Sequence, residues 1–237
     1  MDHVWKKFRV PHSEKRTLLG SVSAAISGAY SKEEFWALQE ISFSVHQGEA
    51  LGVIGENGSG KSALLRVIAG ILRADRGSLK VEGSIAPIME LGVGFSPELS
   101  VVENIHLYGS IMGFQRNEVS ARVEEALRFA ELNRFRDAPL RNLSTGMQAR
   151  LAFSIAFEAN ADIFLLDEAL AVGDVRFQKK CNERIEKLRS RGSTIVVVSH
   201  DMETVRMLSD KVLYLSKGTM AALGDPMDVT TQYLQDL

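Results

Sequence analysis

A glycine-rich segment of the sequence has residue types and spacing that suit the binding of phosphate groups. The segment reads Gly55-Glu56-Asn57-Gly58-Ser59-Gly60-Lys61-Ser62 and lies between an apolar run and a segment with helical periodicity. Glycines let backbone N–H groups turn toward phosphate oxygens, and the start of the following helix adds a favourable field. Lys61 would then reach the outer phosphates of a bound nucleotide, and Ser62 could ligate Mg²⁺. The alternative is a glycine-rich turn that carries a lysine by chance.

Two consecutive acids follow a continuous apolar run further along the chain. The run of residues 163–166 ends in Asp167 and Glu168, which places both carboxylates at the carboxyl edge of a predicted buried strand, where ligands of open sheets bind. Asp167 would hold Mg²⁺ through water. Glu168 would orient and polarise the attacking water, because phosphoryl transfer depends on positioning and charge neutralisation. The alternative is an ordinary solvated strand end.

A serine and a histidine stand at two further positions that suit phosphate. Residues 143–147 open a predicted helix, so the Ser144 hydroxyl and the Gly146 backbone lie at a positive helix end. A serine before a helix is more often only a cap, and from the residues alone capping is the favoured interpretation. His200 follows another apolar run and is placed to sense a γ-phosphate, although a lone histidine is more often structural.

These residues need a sheet whose strands end on one side, and the apolar pattern predicts such a sheet. Short apolar runs predict strands, and apolar residues three and four apart predict helices. The predicted strands are residues 43–45, 50–54, 163–166 and 195–198, and the predicted helices are residues 61–71, 101–111, 118–130 and 145–158. This alternation predicts an α/β fold with a mainly parallel sheet, in which the last three helices form a subdomain inserted between strands.

Composition and charge argue against several classes of protein. Apolar residues make up 45% and charged residues 24%, which is typical of a folded globular chain, and we expect a single domain. No apolar run approaches the roughly 20 residues that cross a bilayer, and residues 1–10 lack the apolar core of a secretion signal, so we expect a cytoplasmic protein. The single cysteine, Cys181, cannot form an internal disulfide. A net charge of -2 gives no reason to expect nucleic acid as a partner.

The order and spacing of these motifs resemble the ATP-binding subunits of ABC transporters from about Phe35 onward. The matching segments are residues 55–62 for the Walker A loop, 143–147 for the signature motif, 163–168 for Walker B with its catalytic glutamate, 173–174 for the D-loop, and His200 for the switch histidine. The resemblance implies a P-loop NTPase fold of the ABC ATPase type, with an antiparallel β part beside the mainly parallel core sheet. It also implies one ABC domain over residues 1–237, with an N-terminal extension at residues 1–34 and the helical subdomain at about residues 95–160.

The resemblance further implies ATP and Mg²⁺ as cofactors and a second copy of the chain as a partner. In such head-to-tail dimers the signature motif of one subunit closes on the ATP held by the other, which reverses the capping interpretation of Ser144. Integral-membrane permease subunits at the cytoplasmic face of the plasma membrane would be further partners. The residues assigned to ATP are Gly55, Glu56, Asn57, Gly58, Ser59, Gly60, Lys61, Ser62, Ala63, Ser144, Gly146, Met147 and Asp174, with Lys61, Glu168 and His200 in catalysis.

Two departures from the usual family pattern resemble one branch of the family. No glutamine occurs between Gln47 and Gln115, where the family normally places one that contacts Mg²⁺. Glu90 is the expected stand-in, with a plain exposed carboxylate as the equal alternative. Met147 stands in the signature motif where most relatives have glutamine. With residues 90–99 and 171–181, these departures resemble the branch that exports lipid-linked O-antigen, capsule or teichoic acid. The alternatives are an ABC subunit for another cargo and a soluble ABC ATPase that acts on DNA or ribosomes.

Two expectations concern the N-terminal part of the chain. Phe8 fits the family register for the ring that stacks on adenine, and Trp36 is the alternative. Residues 18–26 carry apolar side chains at helical spacing beside a basic run, which predicts a short amphipathic helix near the membrane face. A helix packed on its own domain is the equal alternative.

Overall fold

The structure, a computed structural model, describes residues 1–11, 32–89, 92–167 and 174–237. By their internal contacts the residues form two compact units. The first unit contains Met1–Ser44, Gly55–Lys80 and Leu215–Ala221, and the second contains Val45–Ile54, Val81–Tyr214 and Ala222–Leu237.

The first unit contains an antiparallel sheet and the helix α1 (Lys61–Ile68). The sheet has three strands in the order β2-β1-β4, with β1 at Asp2–Pro11, β2 at Lys32–Ile41 and β4 at Arg76–Ser78. Phe8 lies opposite Phe35 in the register of β1 and β2. Asp75, just before β4, accepts a hydrogen bond of 2.8 Å from the Lys7 backbone N–H. The expected antiparallel β part of the fold is therefore present.

A six-stranded sheet has the order β5-β6-β7-β3-β8-β9. Its strands are β3 (Ala50–Ile54), β5 (Ile85–Ile88), β6 (Ile163–Asp167), β7 (Thr194–Val198), β8 (Lys211–Ser216) and β9 (Thr219–Gly224). The pairs from β5 to β8 are parallel. Every residue of β3 and β7 is buried, because strands inside a parallel sheet are covered on both faces. The three predicted strands at residues 50–54, 163–166 and 195–198 are confirmed.

Three helices lie between β5 and β6 in the chain, as the sequence pattern predicts. They are α2 (Val101–Ile111), α3 (Arg116–Ala130) and α4 (Thr145–Ala156). The other α-helices of the described residues are α5 (Val175–Ser190), α6 (Met202–Leu208) and α7 (Pro226–Asp236). A capping box starts α2, since the Ser100 hydroxyl accepts from the Glu103 N–H and the Glu103 carboxylate accepts from the Ser100 N–H. Apolar residues of α2, α3, α4 and α5 pack into one core with those of β5, β6 and β7.

Two predictions about local structure need correction. Residues 43–45 are not a strand: among the described residues the Phe43 backbone exchanges hydrogen bonds with Met1 alone, so no ladder continues from it there. A turn at Gln47 and Gly48 then leads into β3. The predicted helix at residues 61–71 ends at Ile68, because Gly70 adopts a left-handed conformation with a φ of 72° and its N–H bonds the Val67 carbonyl, which closes the last turn.

Candidate functional site

The loop of residues 55–62 follows β3 and leads into α1, and it lies in the first unit. Gly55 and Gly60 have positive φ values of 148° and 110°. Both also lie close to other backbone, since a Cβ would stand 2.2 Å from the Leu215 carbonyl oxygen at Gly55 and 2.4 Å from the Ala37 carbonyl oxygen at Gly60. Only glycine fits these two positions without strain. The glycine spacing therefore dictates the path of the loop.

Lys61, the first residue of α1, is folded back onto this loop. The residue is 5% exposed, and its Nζ donates hydrogen bonds to the carbonyl oxygens of Gly55 (2.7 Å) and Glu56 (2.9 Å). A buried ammonium needs such partners, because an unpaired buried charge is costly. These two bonds hold a positive charge at the start of α1, where the field of the helix also favours an anion.

The other residues of the loop fit the phosphates of a nucleotide. Ser59 is 4% exposed, and within the described part of the chain its Oγ has no hydrogen-bond partner. Buried hydroxyls usually have one, so this atom is available to a ligand. Apart from Gly58 and its two neighbours in the chain, no described residue has an atom within 4 Å of the place where a Cβ would stand at Gly58. The side chains of Glu56, Asn57 and Ser62 are exposed. The loop therefore has open space at Gly58, the buried ammonium of Lys61 and the unpartnered hydroxyl of Ser59.

In the second unit, β6 and β7 end side by side. Asp167 is the last residue of β6 and lies opposite Val198, the last residue of β7, in the parallel register. His200 follows two residues later and is exposed. The backbone on either side of it is fixed, because the Ser199 Oγ accepts a hydrogen bond of 3.0 Å from the N–H of Asp201, and Asp201 caps α6. Asp167 and His200, both predicted from the sequence, therefore lie at one edge of the sheet.

Ser144 is the N-cap of α4, and its Oγ accepts a hydrogen bond of 3.3 Å from the Met147 N–H. The Gln148 Nε2 donates to the carbonyl oxygen of Leu143 at 3.1 Å, which fixes the entry to the helix. Ser144 and Gly146 are exposed, and apart from the chain neighbours of Gly146 and the backbone of its own helix, no described residue has an atom within 4 Å of a Cβ built at Gly146. The segment is an open helix N-terminus, the kind of place where anions bind.

Asp174 is the N-cap of α5 and is also joined to α4. Its Oδ1 accepts a hydrogen bond of 2.9 Å from the Phe177 N–H, and its Oδ2 accepts one of 2.9 Å from Arg150. The Phe177 N–H and the Arg150 guanidinium hold the pKa of Asp174 below its usual value. Arg150 in turn contacts Glu131 at 3.4 Å. The sequence pattern does not single out Arg150 or Glu131, because neither belongs to a motif and their neighbours are distant in the chain.

Phe8 and Trp36, the two rings considered for adenine, lie on opposite faces of the β1–β2 ladder. Phe8 pairs with Phe35, which precedes Trp36 in β2, and successive residues of a strand point to opposite faces. Phe8 stacks on Phe35 with ring centroids 5.8 Å apart, whereas Trp36 packs edge-on against Trp5 at 5.3 Å, with the Arg76 guanidinium 5.2 Å from its centroid. A base stacked on one ring could not also stack on the other.

Some predicted features lie outside the described residues: Glu90, Glu168, Gly173 and the helix of residues 18–26. Among the residues that the structure does describe, no group of three or more His, Cys, Asp or Glu side chains is placed to hold a metal ion. Within the same ranges, no helix has both the length and the apolar character needed to cross a membrane.

Comparison with known proteins finds extensive similarity. The family model described as ABC transporter matches residues 38–171. The chain is 40% identical over 202 residues to the O-antigen export system ATP-binding protein RfbB of Klebsiella pneumoniae, which covers 85% of the chain and 82% of that protein. It is 35% identical to the teichoic acids export ATP-binding protein TagH of Lactococcus lactis, over 98% of the chain and 49% of that protein. A dimeric ATP-binding cassette solved with ADP and phosphate has the same fold, with a TM-score of 0.75 and 23% identity over 95% of this chain and 97% of that chain.

Proposed function

The chain belongs to the ABC transporter family, and we propose that it is the ATP-hydrolysing subunit of an exporter of lipid-linked polysaccharide. Membership rests on the family match over residues 38–171 and on 40% identity to a relative of which the chain covers 82%. The family implies nucleotide binding. The names of the relatives from Klebsiella pneumoniae and Lactococcus lactis support the cargo class, since O-antigen and teichoic acid are both polymers of the cell surface.

The observation that carries the nucleotide-binding role is the placement of Lys61 inside its own loop. We assign the Lys61 Nζ, now bonded to two loop carbonyls, to the β- and γ-phosphates. The unpartnered Ser59 Oγ would donate a further hydrogen bond to phosphate, and the backbone from Gly55 to Ala63 would contact the same group. Ser62 and Asp167 are the residues assigned to Mg²⁺, which when bound would neutralise phosphate charge.

Hydrolysis is assigned to residues at the carboxyl ends of β6 and β7. Glu168 directly follows Asp167, and it would accept a proton from the attacking water and orient that water. His200 would contact the γ-phosphate. The register that ends the two strands together supports a common task for these residues. Glu90 is proposed as the Mg²⁺ contact in place of the glutamine that the family normally has.

A second copy of the chain would complete each site. We propose that Ser144, Gly146, Met147 and Asp174 of one copy contact the ATP held by the other copy. The exposed N-terminus of α4, with open space at Gly146, supports this role. The similar cassette named as dimeric, in a state after hydrolysis, supports a dimer in general. Either Phe8 or Trp36 would stack on the adenine.

The exporter would place this subunit at the cytoplasmic face of the plasma membrane, bound to permease subunits. The lipid-linked polymer would be the cargo, and nucleic acid would not be a partner. Residues 18–26 are proposed to lie near the membrane as an amphipathic helix. If a chain lacking residues 18–26 supported unchanged polymer export, this last assignment would be wrong.

Glu168→Gln tests the proposed function by removing the carboxylate that would accept a proton from the attacking water. The variant should bind ATP as tightly as the parent and lose turnover by about 100-fold or more, because the water loses its base. In the presence of ATP and Mg²⁺ it should accumulate as a dimer in size-exclusion chromatography with light scattering. In the native cell the same substitution should stop surface-polymer display, and the parent should co-purify with a multi-helix membrane protein. Unchanged hydrolysis, or purification with DNA or ribosomes instead, would contradict the proposal.

A further inference from the structure

The two tryptophans of the sequence lie together on one face of the antiparallel sheet in the first unit. Trp5 of β1 and Trp36 of β2 pack edge-on with their ring centroids 5.3 Å apart, and both residues are partly exposed. The Arg76 guanidinium of β4 lies over both rings, 5.8 Å from the centroid of Trp5 and 5.2 Å from that of Trp36. These contacts hold two aromatic rings and a cation together at the surface of the sheet.

Two further cations lie on the same face of the sheet. Lys7 is directly opposite Trp36 in the register of β1 and β2, and its Nζ is 5.7 Å from the Trp36 ring centroid. Arg9 points to the same face as Lys7, because alternate side chains of a strand share a face. Both cations bond one acid: the Glu34 carboxylate accepts hydrogen bonds from Lys7 at 2.9 Å and from Arg9 at 2.7 Å. One carboxylate neutralises only one of the two charges.

Arg76 adds a further uncompensated charge. Its guanidinium contacts the two indole rings, and in the part of the chain that the structure describes it forms no ion pair with an acid. Lys7, Arg9 and Arg76 with Glu34 therefore carry a net charge of +2, whereas the whole chain has a net charge of -2. An anionic partner would be attracted to this face although the chain as a whole is slightly acidic.

We propose that this face binds the anionic headgroup surface of a membrane. The tryptophan face, as we call it, consists of Trp5, Lys7, Arg9, Trp36 and Arg76. Tryptophan favours the boundary between headgroups and acyl chains, because its ring is apolar and its indole N–H is polar. Arginine and lysine beside it attract anionic headgroups. The inference goes beyond the proposed function, since the contact requires neither nucleotide nor hydrolysis.

The extent of the tryptophan face favours a lipid surface over a single small anion. The face includes residues from all three strands, which lie side by side over about 10 Å, and from Trp5 to Arg9 it extends about 13 Å along β1. One phosphate group is too small to span this area, and it would bond the cations without using the indoles. A layer of headgroups would contact both kinds of side chain.

A nucleotide base is the other partner to weigh, because Trp36 is one of the two rings considered for adenine. Phe8 and Phe35 stack on the opposite face of the β1–β2 ladder, so a base can stack there while the tryptophan face meets a membrane. The inference therefore leaves the adenine to Phe8. The two faces of one ladder would then have separate ligands.

Intrinsic tryptophan fluorescence of the full chain tests the inference directly, because Trp5 and Trp36 are the only tryptophans in the sequence. The probe is a vesicle that contains equal parts of phosphatidylglycerol and phosphatidylcholine. These vesicles should shift the emission to shorter wavelength, and brominated phosphatidylglycerol in them should quench it, since bromine quenches an indole on contact. Vesicles of phosphatidylcholine alone and inorganic phosphate should leave the emission unchanged.

Substitutions at Arg76 test the part played by charge, with binding measured by co-sedimentation with the same anionic vesicles. Arg76→Met keeps a long side chain over the rings but removes the charge, and vesicle binding should weaken by about five-fold, which is the usual contribution of one cation near an anionic surface. Arg76→Glu should weaken it by about 25-fold. Lys179→Met, at an exposed lysine of α5 in the second unit, makes the same change of net charge and should stay within about two-fold of the parent.

Four results would overturn the inference. They are a parent that does not bind anionic vesicles, binding without quenching by the brominated lipid, equal losses in Arg76→Met and Lys179→Met, and an emission that responds to ATP or inorganic phosphate but not to vesicles. Binding without quenching would place the contact elsewhere in the chain, such as residues 18–26. A response to ATP alone would assign Trp36 to the base. A parent without ATPase activity would contradict the proposed function and leave this inference standing.

Discussion

The Nζ of Lys61 lies 2.7 Å from the carbonyl oxygen of Gly55, six residues earlier in the chain. The residue proposed to bind the phosphates therefore also closes the loop that would surround them. Because the ammonium is already buried and bonded, little of the cost of desolvating it remains for the moment of binding. The Lys61 ammonium is therefore preorganised for phosphate. Its roles in binding phosphate and in closing the loop can be measured separately.

Lys61→Ala should weaken ATP binding and should also lower the free energy of unfolding. Removing a charged partner of phosphate costs about 1.5 to 3 kcal/mol, which corresponds to roughly 10- to 150-fold in affinity. The loss of two loop hydrogen bonds should cost about 1 to 2 kcal/mol of unfolding free energy. Titration with a fluorescent ATP analogue and urea unfolding measure the two effects. Lys179→Ala, at an exposed lysine of α5, is the control and should match the parent. Parent-like ATP affinity in Lys61→Ala would show that the loop does not bind phosphate.

Gly60→Ala and Gly58→Ala separate backbone strain from steric clash within the same loop. Both glycines have a positive φ, 110° and 80°, so an alanine at either costs about 1 to 2 kcal/mol. At Gly60 the new Cβ would also stand 2.4 Å from the Ala37 carbonyl oxygen, whereas at Gly58 no described residue other than its two chain neighbours has an atom within 4 Å. Urea unfolding should therefore show Gly60→Ala to be the less stable variant by about 2 kcal/mol or more. Equal losses would mean that the close approach to Ala37 does not exist.

Asn104→Ala should destabilise the second unit by about 1 to 3 kcal/mol, because it leaves the Ser96 N–H without its partner and removes the bonds that the side chain donates to three partly buried carbonyl oxygens. The Asn104 side chain is completely buried, with its Oδ1 accepting from the Ser96 N–H at 2.8 Å and its Nδ2 within 3.0 Å of the Ser96, Leu99 and Ser100 carbonyl oxygens. Hydrogen exchange should speed up in residues 96–100. Asn117→Ala removes one exposed hydrogen bond, from the Glu118 N–H to the Asn117 side chain, and should cost under about 1 kcal/mol. Similar losses in the two variants would exclude this role of Asn104.

The apolar pattern predicts much of the fold where burial alone decides the structure. Residues 50–54 and 101–111 have the predicted limits, and the strands at residues 163–166 and 195–198 are each within one residue of theirs. Strands such as β7 are buried on both faces, so nearly all of their residues are apolar and a short apolar run identifies them. The phosphate loop can also be predicted from the sequence. Each of its glycines has a positive φ, which glycine adopts without the strain that other residues would have.

Features that depend on contacts between distant parts of the chain cannot be predicted from the local sequence pattern. Strand β1 carries Lys6, Lys7 and Arg9, and these charged residues interrupt the apolar pattern that would predict a strand. Its register is set by pairing with β2, where the Glu34 carboxylate accepts hydrogen bonds from Lys7 and Arg9. The wrongly predicted strand at residues 43–45 has strand-like residues, but in the part of the chain that the structure describes its one backbone partner is Met1. The cluster around Arg150 is defined by three helices, and no spacing within one helix indicates it.

Cys181 should be inert toward thiol reagents in the folded protein. It is buried in α5 within the core, and burial raises the pKa of its thiol to about 12, against the opposing effect of Arg150 and Lys180. Only the thiolate reacts, and at pH 8 a thiol with this pKa is ionised to about one part in ten thousand. Iodoacetamide labelling followed by mass spectrometry should leave the native protein unmodified. Guanidinium chloride should expose the thiol and permit labelling. Rapid modification of native protein would show that Cys181 is accessible.

Mixing two inactive variants tests whether each ATP site is shared between two copies. Ser144→Asp keeps a good N-cap for α4 but places a negative charge where the phosphates of the other copy would lie, whereas Ser144→Asn keeps the cap without the charge. If Ser144 only caps its helix, both variants should hydrolyse ATP like the parent. We expect Ser144→Asp alone to be inactive and Ser144→Asn to retain activity. Lys61→Ala should be inactive because its own loop no longer holds ATP.

In a mixed dimer of Ser144→Asp and Lys61→Ala, the two defects fall on the same site. The other site then has an intact loop from one copy and an intact Ser144 from the other. A 1:1 mixture should therefore recover activity, up to about a quarter of the parent value, because half of randomly paired dimers are mixed and each has one of two sites intact. The recovery should increase with protein concentration, as dimerisation does. A mixture as inactive as its components would show that each copy must supply both Lys61 and Ser144 to its own nucleotide.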